Sequence, residues 1–353
     1  TDLFPNSLNG DFTTIDARYQ AVLDEFVAMA DQRGVKVILG CHYWSGGRFP
    51  SDLFTSPSRQ QDIMKFFRYL ANRYPKIVGF DILNEPYNMA TGWNYPANPT
   101  IERYVEWHEQ IIDDFRTVNP SLIAFVQPPE GASSKPMDWV RTNPVKRPNV
   151  FYTPHPYAVD WETGDFRNYD FAQTYAAGDY ALARTQLEAW SYLRWGFIKE
   201  DLGLPLYIGE FCAPETEAGV RYLTDFLELL RKWNASYTYW CWASGVERPC
   251  ALTRYPEHTE TKAMVDVLNA DMMGHPGSVA NPNISSTNFG SGVVASVQPI
   301  HAPIDIKATN PLETQTAMIQ NCTFDCDACI TRCSQALLQV TSAIRSRDHI
   351  ASS

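Results

Sequence analysis

An α/β architecture of the (β/α)8-barrel type is predicted by three observations. Short apolar, β-branched runs alternate with amphipathic helical stretches of 10 to 20 residues, and each run follows its helix in the same order. Polar and aromatic residues gather directly after the runs. The right-handed crossover rule makes such strands parallel, and in a closed barrel the loops after the strands form the face that carries the site.

From Asp16 to Arg33, Ala17, Ala21, Val22, Phe26, Met29 and Ala30 recur at helical spacing, and Asp31 to Gly34 stop the helix. The run Val35 to Leu39 then has the continuous apolar character of a buried parallel strand and opens into Cys-His-Tyr-Trp. The unit repeats. Helix Arg59 to Arg73 leads to strand Ile77 to Leu83 and the loop Asn-Glu-Pro, and helix Ile101 to Val118 leads to strand Leu122 to Val126 and Gln-Pro-Pro-Glu-Gly. Strand Val150 to Thr153 runs into Pro-His-Pro-Tyr, and a long helix within Tyr175 to Asp201 precedes strand Leu206 to Ile208 and Gly-Glu-Phe. Helix Glu217 to Trp233, strand Tyr237 to Trp242 and a helix near Thr261 to Asn269 complete the pattern. These readings give six parallel strands in a barrel region spanning 1–275. Residues 276–353, rich in Gly, Pro, Ser and Asn at first, form a linker and a cysteine-containing tail with two weak strand-like runs, Val293 to Val297 and Ile304 to Ile306.

Composition bounds the function. The 353 residues carry a net charge of −11, with 44% hydrophobic and 20% charged residues, which are globular values. A negative chain without a run of Lys and Arg lacks the clustered cations that a phosphate backbone requires, so nucleic acid is not expected as a partner. No stretch approaches the roughly 20 apolar residues of a membrane helix, so no membrane association is expected either. The first residues, TDLFPNSLNG, lack a signal segment, as expected of a processed product or an internal fragment, and sequons at Asn234, Asn283 and Asn321 permit secretion.

Two strand-end glutamates carry the sharpest chemical signal: Glu85 in Asn84-Glu85-Pro86 and Glu210 in Ile208-Gly209-Glu210-Phe211. Cleaving a glycosidic bond takes one protonated carboxyl, to protonate the leaving oxygen, and one ionised carboxylate, to attack carbon or activate water. The strand-end positions let the pair meet across a barrel mouth. In such a pair about 5 Å apart, the negative charge of the nucleophile favours the protonated form of the other carboxyl. Esterification of the nucleophile removes that charge, so the other carboxyl serves as acid and then as base.

The motifs VGFDILNEP, NVFYTPHPY, LYIGEF and YTYWCWASG resemble those of glycoside hydrolase family 5, the cellulase family. The resemblance covers roughly residues 10 to 270 and implies a (β/α)8 barrel and a retaining mechanism. Glu85 is then the acid/base and Glu210 the nucleophile. Asn84 binds the sugar 2-hydroxyl, His42 is the strand-three histidine, and His155 and Tyr157 are the strand-six pair, with Tyr157 donating to the nucleophile. Trp240 is the platform under the cleaved sugar. Among the loop aromatics Tyr43, Trp44, Tyr87, Trp93, Tyr95, Trp161 and Trp242, the readings assign outer subsites to Trp44 and Trp93, because flat sugar faces pack on aromatic rings. Helical Trp107, Trp190 and Trp233 are read as core.

The expected activity is endo-acting hydrolysis of β-1,4-glucan, secreted, with a β-glucan as partner and no cofactor. No metal is expected, since the histidines lack the paired spacing of zinc ligands. The alternatives are a mannanase or exo-β-glucanase of the same family, or a non-catalytic carbohydrate-binding remnant of the fold. The family pattern also has two βα units before the helix at Asp16, with a strand-two arginine, and an aspartate where Gly40 stands. Their absence implies that the tail, a partner chain or a missing segment closes the barrel.

Cys41, Cys212, Cys241 and Cys250 lie in or beside strands and read as buried thiols or a pair between neighbouring strands. Cys322, Cys326, Cys329 and Cys333 fall on one helix face, but about 16 Å of helical rise from first to last is too long for a single tetrahedral site, so disulfides or free thiols are expected.

Overall fold

A computed structural model of the chain describes residues 17–41, 56–86, 100–129, 136–242, 248–254 and 259–274. The expected βα alternation is present. Helix α1 (Ala17–Gln32) precedes strand β1 (Ile38–Gly40), α2 (Pro57–Arg73) precedes β2 (Gly79–Asp81), and α3 (Ile101–Arg116) precedes β3 (Ile123–Val126). A single helical turn, α4 (Trp139–Thr142), leads to β4 (Val150–Tyr152). Helix α5 (Asp170–Ala176) is followed by α6 (Tyr180–Ser191), a π-helical turn (Tyr192–Gly196) and α7 (Phe197–Glu200), before β5 (Tyr207–Ile208). Helix α8 (Glu217–Lys232) and β6 (Ser236–Tyr237) follow. A hairpin of β7 (Thr253–Arg254) and β8 (Thr259–Glu260) and helix α9 (Lys262–Gly274) end the described chain.

Strands β1 to β4 pair in parallel in chain order, with Leu39 opposite Phe80, Phe80 opposite Ala124 and Ala124 opposite Val150. A parallel bridge from Tyr152 to Leu206 joins β4 to β5, and β5 pairs with β6 in parallel. The six strands thus run in one direction and in sequence order, and among the described residues the sheet does not close. The predicted run Tyr237 to Trp242 is regular only at its start. Beyond it Thr238 and Trp240 still donate backbone N–H groups to Ile208 and Phe211, a step of two residues against three that breaks the regular ladder.

Local chemistry explains where the helices begin. Ser56, Thr100 and Thr216 stand at the N-caps of α2, α3 and α8 and accept from the third backbone N–H of each helix, and Pro57 occupies the first position of α2, where its missing donor is no loss. The sheet sorts its side chains by alternation. Phe80 points outward and is fully buried between Phe67 of α2 and Phe115 of α3, with ring centroids 5.1 and 5.2 Å away. Its neighbour Asp81 points to the other face, in register with Phe125 and Phe151, and Phe125 packs edge-on against Tyr207 at 4.9 Å. Trp107 and Trp233 are buried and Trp190 is partly buried against the same core, as read from their helical positions.

Candidate active site

The cleft is assembled at the carboxyl ends of β2, β3, β4 and β5. Beyond β2 the chain leaves the extended conformation abruptly: Glu85 has φ of 42°, a left-handed backbone that a residue with a Cβ occupies at a cost. The Asn84 N–H donates to the carbonyl of Cys41, and the Glu85 N–H donates to Oε1 of Gln127 at 2.7 Å. This turn projects the Glu85 carboxyl over the sheet end, where its side chain is 37% exposed.

Beyond β4, Thr153-Pro154-His155 carries a fully buried imidazole. Its Nδ1 lies 3.0 Å from Oε1 of Glu85 and 3.5 Å from Oε2 of Glu210, so one ring nitrogen stands between two carboxylates. Beyond β5, Gly209 makes this approach sterically feasible. A Cβ there would lie 2.5 Å from Thr153 Oγ1 and 2.6 Å from His155 Nε2. The Glu210 side chain is only 10% exposed, and Tyr157 donates its hydroxyl to Oε2 at 2.6 Å. Oxygens of both glutamates and a nitrogen of His155 all lie within 4.8 Å of one another.

The Glu210 carboxyl is raised to about 7, first by burial and also by the charges of Glu85 and Asp81, against the positive charge of His155 and the Tyr157 hydrogen bond. Burial alone would lower the pKa of His155, but Glu210, Glu85 and Asp81 together raise it to about 9. The Tyr157 hydroxyl is driven well above its ordinary range, first by burial and then by the Glu210 charge, so it remains a donor. The Glu–His–Glu set has the donor types of a cation site, and within it the His155 Nδ1 faces both carboxylates.

Beneath these residues lies a layer that sequence reading did not single out. Gln127, buried directly after β3, donates from Nε2 to Asp81 at 2.8 Å and to Asn84 at 3.1 Å. Tyr104 of α3 donates to the Gln127 carbonyl at 2.8 Å. Asp81 is raised to about 7 by burial, which the charge of His155 and the Gln127 hydrogen bond oppose. The signal for Gln127 was positional: it follows its strand just as Asn84 and His155 follow theirs.

Asn84, Glu85, His155, Tyr157 and Glu210 are therefore brought together. Trp240 sits beside them through its backbone, its N–H donating to the carbonyl of Phe211, next to Glu210. His42, Trp44 and Trp93 lie outside the described residues, as do Tyr43, Tyr87, Tyr95 and the four tail cysteines. Of the remaining cysteines, Cys212 and Cys250 form a disulfide that ties the segment after Glu210 to the start of the β7 hairpin, and Cys41 and Cys241 are buried thiols.

Comparison with known proteins places this architecture. The sequence profile of the family described as Cellulase (glycosyl hydrolase family 5) matches residues 1–245. An endoglucanase of Paenibacillus polymyxa is 24% identical over 237 residues, 62% of this chain and 56% of the relative, so the chain spans little more than half of that protein's length. The endocellulase of Pyrococcus horikoshii, solved with cellotetraose, aligns over 71% of this chain and 74% of its own, with a TM-score of 0.54 at 18% identity. Cel5A of Thermotoga maritima, solved with cellobiose, aligns over 72% of this chain and 79% of its own, with a TM-score of 0.51 at 19% identity. The structural likeness shows the (β/α)8-barrel fold, and the profile match over most of the sequence establishes that the chain belongs to glycosyl hydrolase family 5.

Proposed function

We propose that this chain is a retaining, endo-acting hydrolase of β-1,4-glucan. The observation that carries the proposal is that an oxygen of Glu85 and an oxygen of Glu210 lie within 4.8 Å of one another. Retaining enzymes hold their carboxyl groups about 5–5.5 Å apart, whereas inverting ones leave about 6.5–9.5 Å for an intervening water. Glu210, buried and oriented by Tyr157, attacks the anomeric carbon while Glu85 gives its proton to the glycosidic oxygen, and the leaving chain departs as an alcohol. Glu85, now a carboxylate, takes a proton from water. The hydroxyl displaces Glu210 and releases the sugar with its original β-configuration. Asn84 holds the 2-hydroxyl of the reacting sugar, and Trp240 supplies a flat face beneath it. The Cys212–Cys250 disulfide supports an oxidising, extracellular location.

The test is the anomeric configuration of the first product from a soluble cello-oligosaccharide, read by proton NMR, together with reducing ends released from carboxymethyl cellulose. The expected product is the β-anomer, and Glu85→Gln and Glu210→Ala lose activity by at least about 10³-fold. First release of the α-anomer would overturn the retaining assignment. Equal activity in both variants and the wild type would overturn the roles of the two glutamates.

A further inference from the structure

We infer that Gln127 is a positioning residue for the reaction: its side-chain amide holds the left-handed backbone of Glu85 and fixes which end of Asn84 faces the substrate. The inference rests on the roles proposed above for Glu85 and Asn84. Gln127 is 1% exposed, so it acts through its neighbours and not on the sugar.

Its surroundings permit one orientation of the amide. Oε1 faces the Glu85 N–H, which can only donate, and Nε2 faces the Asp81 carboxylate and the Asn84 carbonyl oxygen, which accept. A flipped amide would set donor against donor at the Glu85 N–H. That N–H therefore fixes which way the Gln127 amide points, and Gln127 in turn orients Asn84. Because Oδ1 of Asn84 accepts from Gln127, Nδ2 is the end of that amide assigned to donate to a sugar hydroxyl oxygen. The hydrogen bond to the Glu85 N–H supplies a partner that the irregular turn would otherwise leave wanting, and it constrains a backbone with positive φ. Tyr104 holds the Gln127 backbone from behind, so the whole relay is anchored in α3.

The test uses the full chain with an aryl β-cellobioside and the analogue lacking the 2-hydroxyl on the reacting sugar. Gln127→Met keeps the shape and removes both hydrogen-bonding ends. The expected result is a fall in kcat of about 10²-fold with little change in KM, since misplacement by about 1 Å has that effect. The preference for the parent substrate over the 2-deoxy analogue should shrink with it. Gln127→Glu provides the second reading. Its protonated carboxyl can still accept from Glu85 and donate to Asp81, but its ionised form repels Asp81. Activity relative to wild type should therefore rise as pH is lowered. A kcat for Gln127→Met equal to wild type overturns the inference, as does a loss that leaves the 2-hydroxyl preference intact or a flat relative pH profile for Gln127→Glu. A wild type unable to cleave the cellobioside would instead defeat the proposed function itself.

Discussion

At the scale of single residues, the cleft is a problem in allotting protons among closely spaced acids and one base. In the proposed mechanism Glu210 is ionised when it attacks, yet burial raises its carboxyl to about 7. The Tyr157 hydroxyl works against that burial, because a hydrogen bond donated to a carboxylate favours the charged form. In Tyr157→Phe the pKa of Glu210 should therefore rise, and the acidic limb of the kcat/KM profile should move to higher pH. A limb that stays in place or moves down would show that Tyr157 does not tune the nucleophile. The sequence made Glu85 and Glu210 legible by their place at the ends of apolar runs, and the resemblance of the surrounding motifs added Asn84, His155 and Tyr157. Gln127 shares the strand-end position but has no such motif, and Asp81 lies inside its run. Their importance depends on the register that sets Asp81 opposite Phe125, two residues before Gln127, and register is a property of the paired sheet.

At the scale of elements, the close seating of β4 against β5 sets the distance between His155 and the two glutamates. Gly209 is the contact point, with no room for a Cβ between Thr153 and His155. Gly209→Ala should push the two strand ends apart and move the imidazole away from its carboxylates. The His155 pKa, followed by the NMR shift of its ring protons, should then fall from about 9 towards the ordinary 6.5, with activity falling alongside. An unchanged titration would mean that the strand ends accommodate the methyl group. Helices and long strands were readable because periodicity accumulates over many residues. The β7–β8 hairpin was not, since Thr253–Arg254 and Thr259–Glu260 are polar pairs with no apolar run to mark them, and neither was the π-helical turn at Tyr192–Gly196, where Gly196 admits the ring of Trp233.

At the scale of the whole molecule, the strand order follows the chain without exception from β1 to β6, so each βα unit packs on the one made before it. That regularity is why a parallel α/β sheet could be read from the alternation, with the motif resemblance pointing to a barrel, whereas the means of closing the sheet could not. The left-handed backbone at Glu85 also bears on the molecule as a whole. A non-glycine residue in that region costs about 1–3 kcal/mol, a sizeable share of a typical folding free energy of about 5–15 kcal/mol. Glu85→Gly should therefore be more stable than Glu85→Ala in chemical denaturation, the reverse of the usual order for these two residues, while neither retains activity. If Ala is the more stable, the backbone there is unstrained. Stability alone would favour glycine at this position, so a glutamate there trades a more comfortable fold for a carboxyl aimed into the site.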